Sequence, residues 1–295
     1  MTTSLILLVY CTLILLISLA GGMVPLKLHM THRRMQLAIS LIAGVMLGVG
    51  LLHMLTDALE EAPDQPHFII MLLLAGILTM FFIERYFSFH HHDAPQNTPF
   101  NGQVDQEPGI KDHHHGHEHS HAGAQDEVED IAEDMAHNEV NLNWAGAAIG
   151  LTLHTIIAGI ALAASVEAGS KGESLTFLAG FGTFLAIFLH KPFDAMTITT
   201  LMTVGGWRRS TIYLVNILFS LVIPLGVGLF YLGLTALGGD INLVAYALAF
   251  SAGTFLCISL SDLLPELQFH AHDRASLSVA LLIGLSIPFA ISFLE

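Results

Sequence analysis

Two long apolar segments of this chain carry paired metal-ligating residue types one helical turn apart. The first segment holds His53 and Asp57, and the second, at a constant offset of 209 residues, holds Asp262 and Glu266. Residues four positions apart lie on one face of a helix. An ionisable side chain costs roughly 2.5–3.5 kcal/mol at the centre of a membrane span, so it is rarely kept there without a function. The pattern predicts an ion path, and duplicated halves with polar sites are typical of secondary transporters.

The composition identifies the class of protein that must position these residues. Hydrophobic residues make up 53% of the chain and charged residues 12%, with a mean hydropathy of +0.65, which excludes an ordinary soluble domain. A membrane span needs about 20 apolar residues. The sequence therefore predicts an all-α polytopic membrane protein with eight transmembrane helices, in which spans 1–3 and 6–8 form an inverted repeat around central spans 4 and 5. The spans are expected near residues 3–26, 36–59, 67–88, 142–166, 174–204, 211–237, 242–268 and 275–294.

These spans predict four segments and one orientation. Spans 1–3 occupy residues 1–88, the metal-site core (spans 4 and 5) residues 141–205, and spans 6–8 residues 206–295, with a loop at residues 89–140. If the N-terminus is outside, eight basic residues lie in cytoplasmic connections and one lies on the opposite side. This positive-inside bias predicts that both termini are outside. A plasma membrane or a bacterial inner membrane is the default location.

The loop at residues 89–140 has a composition of its own. It contains twelve acidic residues, one lysine and ten histidines. Such a segment buries too little apolar surface to order itself, so a disordered cytoplasmic loop is expected, with a short acidic helix over residues 126–137. A histidine tract binds zinc, copper or nickel, although a solvated linker is the alternative interpretation. The candidate accessory ligands are His113, His114, His115, His117, His119 and His121.

Three histidines fall at membrane depth, and two of them are expected to share a site. His154 lies near the middle of the fourth span, and His190 lies near the middle of the fifth, four residues before Asp194. Two imidazoles and one carboxylate suit Zn2+, and also Fe2+, Mn2+, Co2+ or Cd2+. We therefore predict one intramembrane metal site formed by His154, His190 and Asp194.

The paired residues of the repeat are expected to line the route to that site. The orientation places His53 and Asp57 in the outer half of the membrane, and it places Asp262 and Glu266 in the inner half. Ligands at these depths predict a metal pathway that flanks the central site.

Lys191 and Pro192 interrupt the centre of the fifth span. Proline removes a helix hydrogen bond, so a kink is expected near the site. A lysine at this depth is expected to be neutral or to pair with Asp194 or Asp57. If it is charged, its fixed ammonium would block a second metal position. The alternative is a side chain that extends to the cytoplasmic surface.

Three motifs in this chain resemble those of the ZIP (Zrt/Irt-like protein) family of divalent-metal transporters. Residues 154–159 match a fourth-span pattern similar to H-[NS]-x-x-[DE]-G, and residues 190–194 loosely match H-[DEK]-x-P-[EHA]. Residues 250–256 and 264–266 resemble the seventh span. The resemblance extends over nearly the whole chain and includes the eight spans and the histidine-rich loop.

The resemblance implies an activity and also marks departures from the family pattern. It implies transport of Zn2+ or a similar ion toward the cytoplasm by an elevator-like movement of a bundle that includes spans four and five, in a homodimer. Ala158 stands where a carboxylate is usual, and Thr155 stands where Asn or Ser is usual. Lys191 replaces an acidic ligand of a second metal, so the resemblance implies a single site.

Two other functions remain open at this point. An intramembrane zinc-dependent hydrolase would need an open coordination position and a general base, but the sequence contains neither HExxH nor GxSxG. A transport-attenuated, metal-sensing relative is favoured by Ala158. We expect a transporter that is not an enzyme, with metal ions and the lipid bilayer as its partners and no nucleic acid.

Overall fold

The fold is a bundle of long helices. The computed structural model describes residues 3–23, 32–87, 124–170, 178–238, 242–269 and 274–293, with only the backbone described for residues 32, 124–143 and 262–269. Within these ranges the regular structure is entirely helical. The helices are α1 (Thr3–Met23), α2 (His32–Val49), a π-helical segment (Gly50–Met54), α3 (Leu55–Glu61), α4 (Pro66–Phe87), α5 (Ala124–Gly169), α6 (Phe181–Val204), α7 (Arg209–Ser220), α8 (Val222–Ala236), α9 (Asn242–Phe269) and α10 (Arg274–Ile291).

Seven helical stretches in the described ranges are long and apolar enough to cross a membrane. They include Arg33–Glu61, where α2, the π-helical segment and α3 join, and Arg209–Ala236, where α7 and α8 join. The remaining predicted span, α6, has 24 residues, but His190, Lys191 and Asp194 at its centre lower its mean hydropathy. The protein is a polytopic membrane protein, and the eighth span at α6 stays a prediction.

The helix that contains the fourth span begins well before the span itself. Helix α5 starts at Ala124 and runs without a break for 46 residues, so it includes the segment at residues 126–137 for which a short acidic helix was expected. Its apolar part is Trp144–Gly169. The predicted loop at residues 89–140 therefore ends in helix, and its histidine tract at residues 113–121 lies outside the described residues.

Glycines bring two helix pairs into backbone contact. In the pair α2 and α10, a methyl group on Gly44 would overlap the Leu281 carbonyl, and one on Gly284 would overlap the Leu41 carbonyl. Small residues permit this close approach, which is how membrane helices gain dispersion energy without a hydrophobic effect between them.

The same reciprocal contact occurs in the pair α4 and α9. A methyl group on Gly76 would overlap the Phe250 carbonyl, and one on Gly253 would overlap the Leu73 carbonyl. Gly253 is the residue 209 positions after Gly44. The contact thus appears twice with the two halves of the chain exchanged, which is the relation that a two-fold internal repeat predicts.

The helices that carry the central histidines are packed in the same way. A methyl group on Gly21 of α1 would overlap Pro192 of α6, and Gly159 of α5 meets Gly226 and the Ile223 carbonyl of α8. The glycines at which an added methyl group would overlap a neighbouring helix join α2 to α10, α4 to α9, α1 to α6 and α7, α5 to α8, and, at Gly180, the start of α6 to α5. Because α2 and α3 also pack against α9, we treat the helices as two groups: α1, α5, α6, α7 and α8 form one, and α2, α3, α4, α9 and α10 form the other.

Replacing Gly253 with alanine tests this packing. The added methyl group would overlap the Leu73 carbonyl, and backbone cannot move aside as a flexible side chain can, so we expect a loss of about 1–3 kcal/mol of stability. A lower unfolding temperature in detergent would show it. Gly228→Ala is the matched control, because a methyl group there meets no atom within 4 Å, and an equal effect of both substitutions would contradict the packing argument.

Candidate metal centre

His154, His190 and Asp194 converge between α5 and α6. One ligand atom from each residue lies within 4.8 Å of the ligand atoms of the other two. Among the residues that the structure describes, these three form the cluster of His, Cys, Asp or Glu side chains that could hold a metal ion. His154 is 2% exposed and His190 6% exposed. The two Nε2 atoms are 3.4 Å apart, and the His190 Nε2 lies 3.9 Å from the Asp194 Oδ2.

These separations fit one shared ion. Tetrahedral zinc with Zn–N bonds of 2.0–2.1 Å places two ligand nitrogens about 3.3–3.4 Å apart. The two imidazoles already have this spacing. The Asp194 carboxylate is about half an ångström farther from His190 than a tetrahedral edge requires, and its partial exposure of 14% gives its side chain room to turn. The geometry therefore suits a cation held mainly by the two histidines and completed by Asp194.

A backbone carbonyl fixes the orientation of the His190 ring. Its Nδ1 lies 2.8 Å from the Ala186 carbonyl oxygen, one turn earlier in α6. A carbonyl only accepts, so Nδ1 carries the hydrogen and Nε2 of the neutral ring presents a lone pair toward His154. Metal-binding histidines usually donate a hydrogen bond in this way from the ring nitrogen that does not bind the metal. The Nδ1 of His154 is buried and has no hydrogen-bond partner among the described residues.

Lys191 lies beside this site, in the protein interior. Its side chain is 1% exposed, so the alternative of an ammonium that extends to the surface does not apply. The Nζ atom is 3.4 Å from the Asp194 Oδ2 and donates to the Thr155 Oγ1 at 2.5 Å. Of the two expected partners, Asp194 rather than Asp57 is therefore the one in contact.

Two further side chains complete the surroundings of Lys191. Its Nζ lies 3.7 Å from the ring centroid of Phe219 on α7, and Phe219 is itself buried. Thr155 donates its own hydrogen to the Leu151 carbonyl, which leaves an oxygen lone pair for the ammonium. The Thr155 oxygen is therefore engaged with Lys191.

Phe255 of α9 forms the apolar wall of the site. It is fully buried, and its ring centroid lies 6.3 Å from that of His154 and 6.0 Å from that of His190. The contact with His190 is edge-on, at an interplanar angle of 86°. This ring belongs to the helix group that does not carry the histidines. Neither Phe219 nor Phe255 was identified as a site residue from the sequence, because only the packing of distant helices brings them here.

His53 lies apart from the three converging residues. It belongs to the π-helical segment, and its Nε2 is 3.0 Å from the Pro288 carbonyl oxygen. A methyl group on Gly182, at the start of α6, would lie 3.2 Å from the His53 ring. Asp57 follows in α3 and is partly buried. The side chains of Asp262 and Glu266 lie outside the described residues, so the predicted metal pathway remains a prediction.

Glu84 is a partly buried carboxylate near the end of α4 that the sequence reasoning missed. Its Oε1 accepts a hydrogen bond from the Ser261 hydroxyl at 3.3 Å, and its Oε2 lies 3.9 Å from the Cys257 Sγ. Ser261 directly precedes Asp262. The signal available in the sequence was an acidic residue near the end of the predicted third span.

Comparison with known proteins identifies the family. A family model described as ZIP Zinc transporter matches residues 4–292. The chain belongs to the ZIP zinc transporter family. Zinc transporter ZIP9 of Micropogonias undulatus is 30% identical over 160 residues, covering 49% of this chain and 50% of that protein. Zinc transporter ZIP9-B of Xenopus laevis is 31% identical over 159 residues, again covering 49% of this chain and 50% of the relative.

A more distant ZIP relative extends the comparison. Zinc transporter ZIP1 of Homo sapiens is 26% identical over 147 residues, covering 49% of this chain and 42% of that protein. The chain thus spans about half the length of the curated relatives it matches. Family membership confirms the resemblance inferred from the three motifs and accords with a multi-pass integral membrane protein.

The structure brings together two of the departures from the ZIP pattern. Thr155 and Lys191, each unusual at its motif position, bond directly to each other. The third departure, Ala158, is fully buried one turn beyond His154. An uncharged methyl group therefore stands where the family pattern would add a carboxylate.

Zinc-dependent stabilisation tests the three-residue site. A ligand that binds only the folded state stabilises it by about 2.7 kcal/mol at 100 times its Kd, so zinc should raise the unfolding temperature of the native chain. His190→Ala removes one of two nitrogen ligands, and we expect most of the rise to be lost. Differential scanning calorimetry in detergent measures it.

His67→Ala is the matched control for that measurement. His67 is exposed at the start of α4 and does not belong to the converging group. A control that loses the zinc response as fully as His190→Ala would contradict the assignment of the site.

Proposed function

We propose that this ZIP family member carries a divalent metal ion, zinc first, across the membrane toward the cytoplasm through one intramembrane site. The observation that carries this proposal is the 3.4 Å separation of the His154 and His190 Nε2 atoms, with Asp194 beside them. Two imidazoles favour a borderline ion over a hard one such as Mg2+. Fe2+, Mn2+, Co2+ and Cd2+ are the other candidate substrates, and the metal is cargo rather than a resident cofactor.

A single-ion site follows from the charges around it. The ammonium of Lys191 lies 3.4 Å from Asp194, in a region where an unpaired charge is costly. A second divalent ion next to that ammonium would meet repulsion without a carboxylate at position 158 to offset it. We therefore assign Lys191 as the substitute for a second metal and His154, His190 and Asp194 as the ligands of the first.

The packing supports movement of one helix group against the other. The contacts at which an added methyl group on glycine would overlap a neighbouring backbone lie within the two groups, and the contact between them at Gly146 is looser, with a methyl group 3.2 Å from the Phe87 carbonyl. Phe255 and His53 meet the site-bearing group through side chains. Interfaces of that kind can slide with less loss of close packing. We propose that α1, α5, α6, α7 and α8 move together with the ion, and that His53, Asp57, Asp262 and Glu266 line its route.

The remaining parts of the proposal concern the surroundings of the carrier. The bias of basic residues favours both termini outside, in a plasma membrane or a bacterial inner membrane, with a homodimer as the assembly. The histidines of the loop, between His113 and His121, act as accessory metal ligands on the cytoplasmic side. Family membership favours transport over an intramembrane hydrolase, and no contact of the described residues favours an enzyme.

Metal flux tests the proposal directly. Loss of a residue that only hydrogen-bonds to a metal ligand typically lowers metal affinity or activity by roughly 10- to 100-fold. In proteoliposomes, Asp194→Ala should lower zinc uptake by more than this, because it removes a proposed ligand itself. Uptake is followed with an internal zinc-sensitive dye, across a panel of zinc, iron, manganese, cobalt and cadmium. Asp64→Ala, at an exposed position, should leave flux near the native level.

A wild-type protein that moves none of these metals would reject the transport function. Equal losses in Asp194→Ala and Asp64→Ala would reject the assigned site.

The metal-sensing alternative makes a different prediction at Ala158. Ala158→Glu places a carboxylate one turn from His154, and if the carrier is attenuated by the missing ligand, zinc flux should rise several-fold at low zinc. Ala158→Gln controls for the larger side chain, which costs about 1–3 kcal/mol in a packed position. No flux from either variant, together with intact zinc stabilisation, would favour the sensor.

A further inference from the structure

The ammonium of Lys191 has partners on three helices. Its Nζ lies 2.5 Å from the Thr155 hydroxyl of α5, 3.4 Å from the Asp194 carboxylate of α6 and 3.7 Å from the Phe219 ring centroid of α7. Lys191 is 1% exposed and Phe219 4% exposed. An ammonium shielded from water interacts with an aromatic face by about 2 kcal/mol or more. These three partners replace the hydration that burial removes.

Only one of these partners is also a metal ligand. Asp194 belongs to the group that can hold a metal, whereas Thr155 and Phe219 do not. The ammonium and the arriving metal ion therefore compete for the same carboxylate. When the metal takes Asp194, the contacts that remain to Lys191 are the hydroxyl and the aromatic ring.

We propose that Phe219 is a positioning residue for metal binding: it holds the Lys191 ammonium after the metal has displaced that ammonium from Asp194. The inference rests on the proposed function only in that it assumes the same metal site. In the metal-free protein the ammonium is shared among three partners. In the metal-loaded protein Phe219 and Thr155 keep it, so the loaded state depends on Phe219 more than the free state does.

Loss of the aromatic ring should therefore weaken metal binding without removing any metal ligand. Phe219→Leu keeps an apolar side chain but has no ring, and we expect about tenfold more zinc to be needed for half-maximal stabilisation, the equivalent of about 1.4 kcal/mol. Phe219→Trp keeps an aromatic face, the best type for a cation, and should stay within about twofold of the native protein.

A double-mutant cycle separates the aromatic contact from packing. In the background Lys191→Met there is no ammonium to hold, so adding Phe219→Leu should leave the zinc response unchanged from that of the single variant. The matched control is Phe230→Leu, which replaces another buried phenylalanine that is not in contact with Lys191. It should leave the zinc midpoint unchanged.

The measurement is the zinc dependence of the unfolding temperature of the full chain in detergent, with the zinc-free temperature reporting packing damage. An unchanged midpoint in Phe219→Leu overturns the inference. So does an equal shift in Phe219→Leu and Phe219→Trp, or an equal effect of Phe219→Leu with and without Lys191. Absent flux with intact zinc stabilisation would reject transport while leaving this inference intact, and an unchanged Phe219→Leu midpoint with normal flux would reject the inference alone.

Discussion

Ionisable side chains at the centre of α6 must find within the protein the partners that water would otherwise provide. Bilayer hydrocarbon cannot solvate them, and each unmatched group costs several kcal/mol. The structure meets this requirement with contacts inside the protein: the Ala186 carbonyl for His190, and Asp194, Thr155 and Phe219 for Lys191. The proposed metal site is therefore part of a wider set of paired charges and dipoles, and we propose that an arriving cation enters by exchange within that set.

This requirement explains which parts of the site could be predicted from the sequence. His190 and Asp194 are one turn apart on one helix, and a short-range pattern of that kind follows directly from helical geometry. His154 was assigned to the same site because of its residue type and its predicted depth in the membrane. In the structure its Nε2 lies 3.4 Å from the His190 Nε2. Phe219 and Phe255 could not be found in the same way, because ordinary phenylalanines in apolar spans carry no sign of which polar group they will meet.

The fold shows a similar division between local and long-range information. Mean hydropathy and span length anticipated the helical architecture, including a helix at α6, although the candidate site residues there dilute the apolar signal that marks a membrane span. The acidic helix expected over residues 126–137 is present, but its continuity with the fourth span was not predicted, because an acidic, histidine-rich composition favours disorder. The partners of Gly44 and Gly253 across the bundle depend on topology and could not be predicted from the sequence.

The π-helical segment in the second span has a consequence for how this protein can vary. A π-helical turn accommodates an additional residue, and one residue corresponds to a rotation of about 100° around an α-helix. Everything beyond Met54 is therefore turned relative to Gly44 and Gly48, which face α10. Point substitutions in residues 50–54 preserve that offset, but deletion of one residue there would turn α3 to face different neighbours. The length of this stretch should consequently be more tightly constrained than its composition.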